Sequence, residues 1–369
     1  MATYLIASAW LKGRQQRAPR AVVVASGLQD RRASGSAMPA MRRKTCLVTG
    51  GAGFIGSHLA ERLVGLGCAV RVVDNLSSGD RANLTPVADA IDFLEGDLCD
   101  PEVCRRAVTG IELVFHLAAL ASVPHSLRNP WATHHANVNA TMRLLEACAA
   151  ARVARVVYSS SSAVYGDADD QARAEATEPL PRSPYAASKL AGEQYVLAFA
   201  RAGMLEGVAL RYFNVFGPRQ SPRSAYAAVI PNFLQAVVEQ RPAALYGDGR
   251  QTRDFIYVDN VVDANVLAAT APSERANGRV VNIGAGKRTS LVELISMIGS
   301  VTGHALQFAS FAARAGDVRD SLANLERAEG VLGFKPRVSM EDGLRRTWLS
   351  LVATRRTSVR AVGMTAAVS

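Results

Sequence analysis

The chain has 369 residues, of which 49% are hydrophobic, so it is long enough to bury one large core or two moderate ones. Its net charge of +10 comes from the two ends, because residues 1–44 hold nine Lys or Arg against Asp30 alone and the tail after Ala353 adds three Arg and no acid. The remainder is close to neutral, so we expect no basic face for a nucleic acid.

The first 44 residues are rich in Arg, Ala and Ser and show no sustained apolar period. An organellar transit peptide has this composition, and so does a reading frame that starts too early, ahead of Met38 or Met41. We expect a disordered extension. Its apolar stretches, Tyr4–Leu11 and Ala21–Ala25, are too short to span a bilayer, so no membrane association is expected.

Cysteines and histidines form no recognisable ligand set. The five cysteines are odd in number and contain no C-x-x-C pair, which is typical of a reducing compartment such as the cytoplasm. The six histidines lack metal-ligand spacing with carboxylates or cysteines, so we expect no metal site.

The first predicted strand, Thr45–Thr49, runs directly into a glycine-rich segment. Gly50, Gly53 and Gly56 permit a tight turn, close approach of the backbone to a pyrophosphate, and close packing of the next predicted helix, Phe54–Leu66. The free N–H groups and the dipole at that helix start favour phosphates. A glycine motif alone is equally typical of an ordinary loop, but this one lies between a strand and a helix.

A carboxylate closes the second predicted strand, Ala69–Asp74, eighteen residues after Gly56. Asp74 stands where an acid accepts hydrogen bonds from the adenosine ribose of a dinucleotide. Because a carboxylate repels a 2′-phosphate, the cofactor is expected to be NAD rather than NADP. Arg71 and Arg81 lie nearby and would favour NADP, although either is more often a solvated surface charge.

Strands and helices alternate up to about residue 212, which predicts a doubly wound parallel (Rossmann) sheet with helices on both faces. One long helix is expected near Trp131–Ala151. Polar residues follow the strands at Asp74, Asp97, His116–Ala119 and Ser159–Ser162, and we expect these strand ends to surround one cleft. The other strands are predicted at Ile91–Glu95, Glu112–Leu117, Arg155–Ser159 and Gly207–Tyr212.

Beyond residue 213 the pattern loosens into short strands and predicted helices, which indicates a smaller α+β substrate-binding domain. Residues 45–212 would form the cofactor domain, with a returning segment near 255–283, while 213–352 would form the interleaved substrate domain ahead of a basic tail at 353–369. The helices of this part are predicted at Val229–Gln240, Asp259–Ala271, Leu291–Val301 and Ser321–Leu332.

A helix start at Ser183-Pro184 places Tyr185 and Lys189 one turn apart on the same face. An ammonium beside a phenol stabilises phenolate, as would the positive charge of a nicotinamide, so we expect the pKa of Tyr185 to fall from ~10 by roughly one to three units. That would make Tyr185 a general base. A chance Y-x-x-x-K on an amphipathic helix is the alternative.

A set of motifs in fixed order gives the chain a family resemblance over about residues 45–350. It resembles the extended short-chain dehydrogenase/reductases, in the group of NAD-dependent epimerases and dehydratases. These motifs are T-G-G-A-G-F-I-G (Thr49–Gly56), D-N-L-S-S-G (Asp74–Gly79), G-D-L (Gly96–Leu98), H-L-A-A (His116–Ala119), S-S-S-S-A-V-Y-G (Ser159–Gly166) and Y-A-A-S-K (Tyr185–Lys189).

Other motifs narrow the resemblance to nucleotide-sugar 4-epimerases. The local sequence is most similar to epimerases of UDP-N-acetylglucosamine (UDP-GlcNAc) and UDP-glucose. The motifs concerned are S-V-P-H-S (Ser122–Ser126), R-Y-F-N-V-F-G-P (Arg211–Pro218), A-Y-A-A-V-I-P (Ala225–Pro231), Y-G-D-G-x-x-x-R-D-F (Tyr246–Phe255) and R-x-G-D (Arg314–Asp317).

The resemblance implies roles for three catalytic residues. Tyr185 is the base, Lys189 tunes it and holds the nicotinamide ribose, and Ser161 hydrogen-bonds the reacting hydroxyl, with Ser162 as an alternative. Relatives often have Asn or Thr at the position of Ala136, so one cofactor hydrogen bond is expected to be missing. The implied NAD-binding residues are Gly50, Gly53, Phe54, Ile55, Gly56, Asp74, Asn75, Ser77, Ser78, Gly79, Asp97, Leu98, Leu117, Ala118, Ala119, Ser159, Tyr212 and Phe213.

The resemblance also implies a UDP-sugar site. Arg253 and Arg314 would hold the diphosphate, since a guanidinium matches phosphate oxygens in a bidentate way. Ser321 would lie beside the C2 group of the hexose, and its small size would admit an N-acetyl group. As alternatives, Arg253 forms a surface ion pair with Asp254, and Ser321 caps the predicted helix Leu322–Leu332. The implied substrate residues are Ser122, Asn214, Arg253, Arg314, Asp317 and Ser321.

The implied reaction is 4-epimerisation of a UDP-hexose by transient oxidation at C4, in a homodimer paired through a helical bundle. Dehydratases and decarboxylases of the same fold carry an acid after the catalytic serine, whereas this chain has Ser161-Ser162-Ala163. A dehydratase, decarboxylase or reductase therefore remains an alternative, as does an NAD-sensing regulator without turnover. Intact Ser161, Tyr185 and Lys189 argue against a pure sensor.

Overall fold

The computed structural model describes residues 40–167, 172–221, 228–312 and 319–365, and strands and helices alternate within these ranges. The predicted extension before residue 40 therefore lies outside the described residues. The strands are β1 Thr45–Thr49, β2 Ala69–Asp74, β3 Ile91–Glu95, β4 Leu113–His116, β5 Arg155–Ser161, β6 Glu206–Tyr212, β7 Asn214–Phe216, β8 Ala243–Tyr246, β9 Thr252–Arg253, β10 Phe255–Tyr257, β11 Arg279–Ile283, β12 Thr289–Ser290 and β13 Phe308–Phe311.

Helices follow most of these strands, and short turns of other geometry interrupt them. A 3₁₀ segment covers Arg81–Ala90, a second covers Ser162–Tyr165, and a π turn covers His135–Asn139. The α-helices are α1 Phe54–Gly65, α2 Pro101–Val108, α3 Val123–Arg128, α4 Pro130–His134, α5 Ala140–Ala150, α6 Pro184–Arg201, α7 Val229–Glu239, α8 Val258–Thr270, α9 Ser273–Ala276, α10 Leu291–Thr302, α11 Glu326–Leu332 and α12 Met340–Thr365.

Seven strands form one parallel sheet in the order β11-β6-β5-β4-β1-β2-β3. This confirms the predicted doubly wound fold. Alternate residues of the buried strands feed two cores, as expected for a sheet covered on both faces. On β1, Val48 belongs to the core that includes Leu59 of α1 and Val262 of α8, whereas Leu47 belongs to the core that includes Leu144 of α5.

The remaining strands form three small pairs outside the main sheet. They lie largely in the part of the chain predicted to form the substrate domain, called here the substrate side. β7 pairs in parallel with β10, β8 pairs in parallel with β13, and β12 pairs antiparallel to β9. Packed near them, α7 and α10 contribute Phe233 and Leu294 to the larger core, which therefore continues from the sheet into this part. The strand Arg279–Ile283 returns to the edge of the main sheet beside β6.

Three elements differ from the sequence prediction by more than one residue at an end. β5 extends to Ser161 because its pairing with β6 continues as far as Tyr212. The long helix predicted near Trp131–Ala151 is divided by the π turn. Helix α11 begins at Glu326, so the prediction that Ser321 caps a helix is wrong.

The reason for the last difference is that the segment before α11 is engaged in backbone pairing. Asp320 bridges Thr252, and Ala323 bridges Arg173. The final helix α12 had no counterpart in the sequence prediction. No helix in the described ranges is long and apolar enough to cross a bilayer. Within those ranges we also find no group of His, Cys, Asp or Glu that could hold a metal, and the five cysteines are unpaired.

Candidate active site

A cleft of about 1000 Å³ opens at the carboxyl ends of the central strands. It collects residues from both predicted domains, as expected where a parallel sheet meets its loops. The predicted site residues that line it are Gly50, Gly53, Phe54, Ile55, Gly56, Asp74, Asn75, Ser77, Ser78, Asp97, Leu98, Leu117, Ala118, Ala119, Ser159, Ser161, Tyr185, Lys189, Tyr212, Phe213, Asn214 and Arg253.

The glycine loop is packed so tightly that side chains are excluded at two positions. A Cβ on Gly56 would lie 2.2 Å from the carbonyl oxygen of Gly50, and one on Gly50 would lie 2.8 Å from the backbone of Ala118. Gly50 also has a φ of +64°, which favours glycine. Helix α1 begins after Gly53 without a side-chain cap and without an acid in its first turn, so its dipole and N–H groups suit the diphosphate of a dinucleotide.

Asp74 shapes the loop as well as lining the cleft. Its Oδ2 accepts the amide N–H of Ala52 at 2.9 Å, and its Oδ1 accepts that of Leu76 at 2.8 Å. Burial raises the pKa of this carboxyl, and the two amides oppose that rise. Gly79 does not line the cleft, but a Cβ there would lie 2.9 Å from the Asp74 carboxylate, so this glycine makes room for it.

The two arginines that would have favoured NADP are occupied by other groups. Arg71 donates to Asp92 at 2.6 Å and to three carbonyls at the end of α2. Arg81 stacks over the ring of Phe93 at 4.5 Å. Neither lines the cleft beside Asp74, which supports NAD over NADP.

Helix α6, which carries Tyr185 and Lys189, starts as the sequence predicts. The Ser183 hydroxyl accepts the N–H of Ala186 at 3.1 Å, and Pro184 occupies the first turn. Tyr185 and Lys189 both line the cleft. Ser161, the last residue of β5, also lines the cleft, whereas Ser162 lies in the following 3₁₀ turn and does not. The geometry therefore favours Ser161 over Ser162.

Burial has the largest effect on the pKa values of Tyr185 and Lys189. It raises the pKa of Tyr185, and the hydrogen bond from Ser161 opposes the rise. The predicted fall of that pKa is therefore wrong for the protein groups alone. Burial lowers the pKa of Lys189 to about 7, while the charge of Glu193 acts to raise it. The Lys189 ammonium also lies 4.7 Å from the centre of the Tyr158 ring.

A buried ion pair that the sequence analysis did not identify lies one turn beyond Lys189. Glu193 accepts from Nη2 of Arg211 at 2.7 Å and from Nε at 3.0 Å, and both side chains are almost fully enclosed. The same carboxylate accepts the hydroxyl of Ser160 at 2.7 Å. This pair ties α6 to β5 and β6 beneath the serine run. No periodicity could reveal it, because its members lie on separate elements.

A second buried network supports the floor of the cofactor cleft. The Thr49 hydroxyl accepts the N–H groups of Leu117 and Ala118 at 3.1 Å and donates to Nδ1 of His116 at 2.7 Å. Burial lowers the pKa of His116 to about 3, so the ring is neutral. Its Nε2 then donates to Thr141 at 2.8 Å. These hydrogen bonds therefore fix the backbone of Leu117 and Ala118, which is predicted to pass beneath NAD.

On the substrate side, Asn214 and Arg253 line the cleft. Arg253 donates to the carbonyls of Thr252 and Arg319 at 2.9 and 3.0 Å. The alternative of a surface ion pair between Arg253 and Asp254 is wrong, because Asp254 is fully buried. Its carboxylate instead accepts three backbone N–H groups, and burial raises its pKa to about 6.

The other predicted substrate residues do not line the cleft or lie outside the described ranges. Ser122 caps α3 by accepting the N–H of His125 at 3.2 Å. Ser321 lies in the segment before α11, where its N–H donates to the carbonyl of Thr252 at 3.2 Å. Arg314 and Asp317 lie outside the described residues. Ala136, the departure from the family pattern, lines the cleft.

Seven polar residues that line the cleft were not predicted as site residues: Asp80, Asn83, Ser160, Arg219, Gln220, Ser221 and Gln251. Arg219 and Gln220 directly follow the R-Y-F-N-V-F-G-P motif. The motif therefore indicated this part of the chain as functional, but only the folded structure shows that these side chains line the cleft.

Comparison with known proteins agrees with this geometry. Residues 46–284 match the NAD dependent epimerase/dehydratase family. A UDP-glucose 4-epimerase of Mycolicibacterium smegmatis is 38% identical over 82% of this chain and 96% of its own length. The structure of UDP-N-acetylglucosamine 4-epimerase from Methanobrevibacter ruminantium, in complex with UDP-N-acetylmuramic acid, is 39% identical, with a TM-score of 0.80 over 85% of this chain and 99% of that one.

A third relative was solved with the cofactor. The structure of Thermus thermophilus UDP-glucose 4-epimerase in complex with NAD is 34% identical, with a TM-score of 0.76 over 83% of this chain and 98% of that one.

Proposed function

Because the chain belongs to the NAD dependent epimerase/dehydratase family, we propose that it interconverts the C4 epimers of a UDP-hexose. UDP-GlcNAc and UDP-N-acetylgalactosamine (UDP-GalNAc) are the leading pair, and UDP-glucose and UDP-galactose are the second. The observation that carries the proposal is that Ser161, Tyr185 and Lys189 meet in a cleft whose other wall is the glycine loop.

The residues that would hold NAD fit it. The N-terminus of α1 and the loop Gly50–Gly56 suit the diphosphate, and Asp74 suits the adenosine ribose. Bound NAD would supply the oxidising chemistry at C4 of the sugar, by taking up a hydride and returning it.

Tyr185 would move the proton of the 4-hydroxyl. Ser161 lines the same cleft, and its hydroxyl would hydrogen-bond the reacting 4-hydroxyl. A nearby positive charge stabilises phenolate, and Lys189 supplies that charge from the next turn of α6. Since the pKa of Lys189 is about 7, the lysine is partly protonated near neutral pH, and the carboxylate of Glu193 helps to keep it so.

The same residues disfavour the alternative reactions of this fold. Elimination or decarboxylation calls for an additional acid, and the residues after Ser161 are Ser162 and Ala163, without a carboxyl group. The nearest acid on α6, Glu193, is buried and engaged by Arg211 and Ser160. A proton carrier without a second acid suits epimerisation.

The preference for N-acetylated sugars rests on the small residue at position 321. Its backbone is bonded to Thr252, the neighbour of Arg253. Ser321 therefore belongs to the segment that packs against the arginine expected to hold the diphosphate. A serine leaves space for an acetamido group, whereas a tyrosine would fill it.

The test is to incubate the purified protein with UDP-GlcNAc, UDP-glucose or UDP-glucuronate and to resolve the products. We expect UDP-GalNAc to form at least as fast as UDP-galactose. Ser321→Tyr should suppress the N-acetylated pair at least about 10-fold more than the glucose pair, because its ring overlaps the acetamido group. The control Ser321→Ala should retain both activities. A wild type that converts only UDP-glucose, or equal losses on both pairs in Ser321→Tyr, would refute the sugar assignment.

A further inference from the structure

The loop Gly217–Ser221, called here the 217–221 loop, is fastened to the helix that begins the cofactor site. His58 of α1 hydrogen-bonds the carbonyl of Pro218 through Nε2 at 3.0 Å. One turn further along α1, Glu61 accepts from Nη2 of Arg219 at 2.6 Å. The loop follows β7 on the substrate side, so these two contacts join the substrate side to the helix whose N-terminus suits the dinucleotide diphosphate.

Arg219 has the features of a ligand contact rather than of a purely structural residue. Its φ of +66° lies in the left-handed region, which residues other than glycine rarely adopt. Its side chain lines the cleft and is only 20% exposed. Glu61 engages Nη2, whereas Nη1 is buried and has no hydrogen-bond partner among the described residues.

A buried guanidinium N–H without an acceptor is unfavourable, and such a group calls for an oxygen ligand. Because the guanidinium carries a positive charge and a planar fork of donors, a phosphate oxygen matches it best. Two diphosphate groups are expected in this cleft, that of the dinucleotide and that of the UDP-sugar. The shared chemistry is therefore a diphosphate oxygen.

The position of the loop favours the dinucleotide. Both residues that bind the loop, His58 and Glu61, belong to α1. In addition, a Cβ on Gly217 would lie 3.5 Å from the ring of Phe54, the first residue of that helix. The substrate diphosphate already has a candidate in Arg253, on β9. Gln220 fixes the loop from the other side by donating to the carbonyl of Val215 at 3.2 Å.

We propose that Arg219 is a cofactor-retaining residue, which Glu61 orients and whose remaining N–H binds a phosphate oxygen of the bound dinucleotide. This rests on the proposed function, in which the hydride taken from the sugar is returned in the same cycle. Such a reaction proceeds only if the cofactor stays bound between the two transfers. Arg219 and Glu61 would close the 217–221 loop over the dinucleotide and slow its release.

The experiment measures the release of NAD(H) from the purified holoenzyme after dilution into cofactor-free buffer, together with the affinity for UDP. Arg219→Gln should release the dinucleotide about 10- to 100-fold faster, as expected for loss of a charge-assisted hydrogen bond. Its affinity for UDP should stay within about twofold of the wild type. Glu61→Gln should accelerate release less, and adding it to Arg219→Gln should change the rate no further.

The matched control is Arg62→Gln, on the same helix. Arg62 is also paired with a carboxylate, that of Asp263 at 3.1 Å, but it does not line the cleft. This variant should be less stable without releasing the dinucleotide faster. Should Arg219→Gln not fold, Arg219→Lys retains a charge but not the fork and should give an intermediate release rate.

Unchanged NAD release in Arg219→Gln would overturn the proposal. A loss of UDP affinity with unchanged NAD release would overturn it too, because the phosphate would then belong to the substrate. A wild type that binds no dinucleotide would instead refute the proposed function. Since release is measured without turnover, the two failures are distinguishable.

Discussion

The two sides of the cleft are built in different ways. On the cofactor side, the glycine loop packs backbone against backbone, so that a Cβ on Gly56 would lie 2.2 Å from the carbonyl oxygen of Gly50. On the substrate side, side chains join segments that are distant in sequence, as when Asp254 accepts amides from residues 285, 286 and 323. A backbone-built site depends on local sequence, whereas a side-chain-built site depends on the whole fold.

The buried carboxylates of the two sides also differ, in the charge of the groups that bind them. Glu193, on the cofactor side, is paired with Arg211 and accepts the hydroxyl of Ser160. Asp254 accepts from three backbone amides, which are neutral and offset its desolvation only in part, so its pKa is raised to about 6. On the substrate side, ionisation of Asp254 as the pH rises therefore costs folding free energy. On the cofactor side, the charge of Glu193 is neutralised by that of Arg211.

The largest expected effect lies where the two sides meet, at Tyr185. Tyr185→Phe removes the proposed proton carrier but keeps the ring, so turnover should fall about 1000-fold while folding and NAD binding stay near those of the wild type. Steady-state rates and NAD titration would measure both. The control is Tyr195→Phe on the same helix, whose side chain is 39% exposed. A Tyr185→Phe variant with more than a tenth of wild-type turnover would show that another group moves the proton.

On the cofactor side, adding a single methyl group to the glycine loop should disrupt its packing. In Gly56→Ala the Cβ would lie 2.2 Å from a carbonyl oxygen, and no rotamer can relieve that overlap. We expect the free energy of unfolding to fall by about 3 kcal/mol and NAD binding to weaken strongly. Gly65→Ala is the control at the end of the same helix, where a Cβ meets nothing within 4 Å. It should stabilise the protein slightly, by roughly 0.4–1 kcal/mol. Similar behaviour of the two variants in chemical denaturation would contradict the packing argument.

On the substrate side, Asp254 should make the stability of the protein depend on pH. Since the folded state raises the pKa of Asp254 to about 6, from an ordinary value of 3.8, its contribution to stability is greatest below the ordinary value. That contribution is lost as the pH rises through 6. Asp254→Asn cannot ionise, so the wild type should lose up to about 3 kcal/mol relative to this variant between pH 4 and pH 7. Urea unfolding at each pH would measure the difference. A constant difference across this range would mean that Asp254 is no harder to ionise in the folded protein.

Much of the cofactor half was predictable, because its signals are local. The bounds of β1, β2 and β3 match the prediction residue for residue, since short apolar runs between turn residues specify buried strands. The substrate half was predicted less well. Residues 321–325 are not helical, because the backbone of this segment pairs with Thr252 and Arg173, and such pairing overrides local helix preference.

By itself, the sequence determined which helix carries Tyr185 and Lys189 and that both lie on one face, because helix capping and the spacing of one turn are properties of adjacent residues. Only the tertiary structure decided that Ser161 rather than Ser162 faces the cleft, since the length of β5 depends on its pairing with β6. It alone brought Arg219 to Glu61, across 158 positions. Contacts over such distances leave no period in the chain, because they arise only when separate elements pack together.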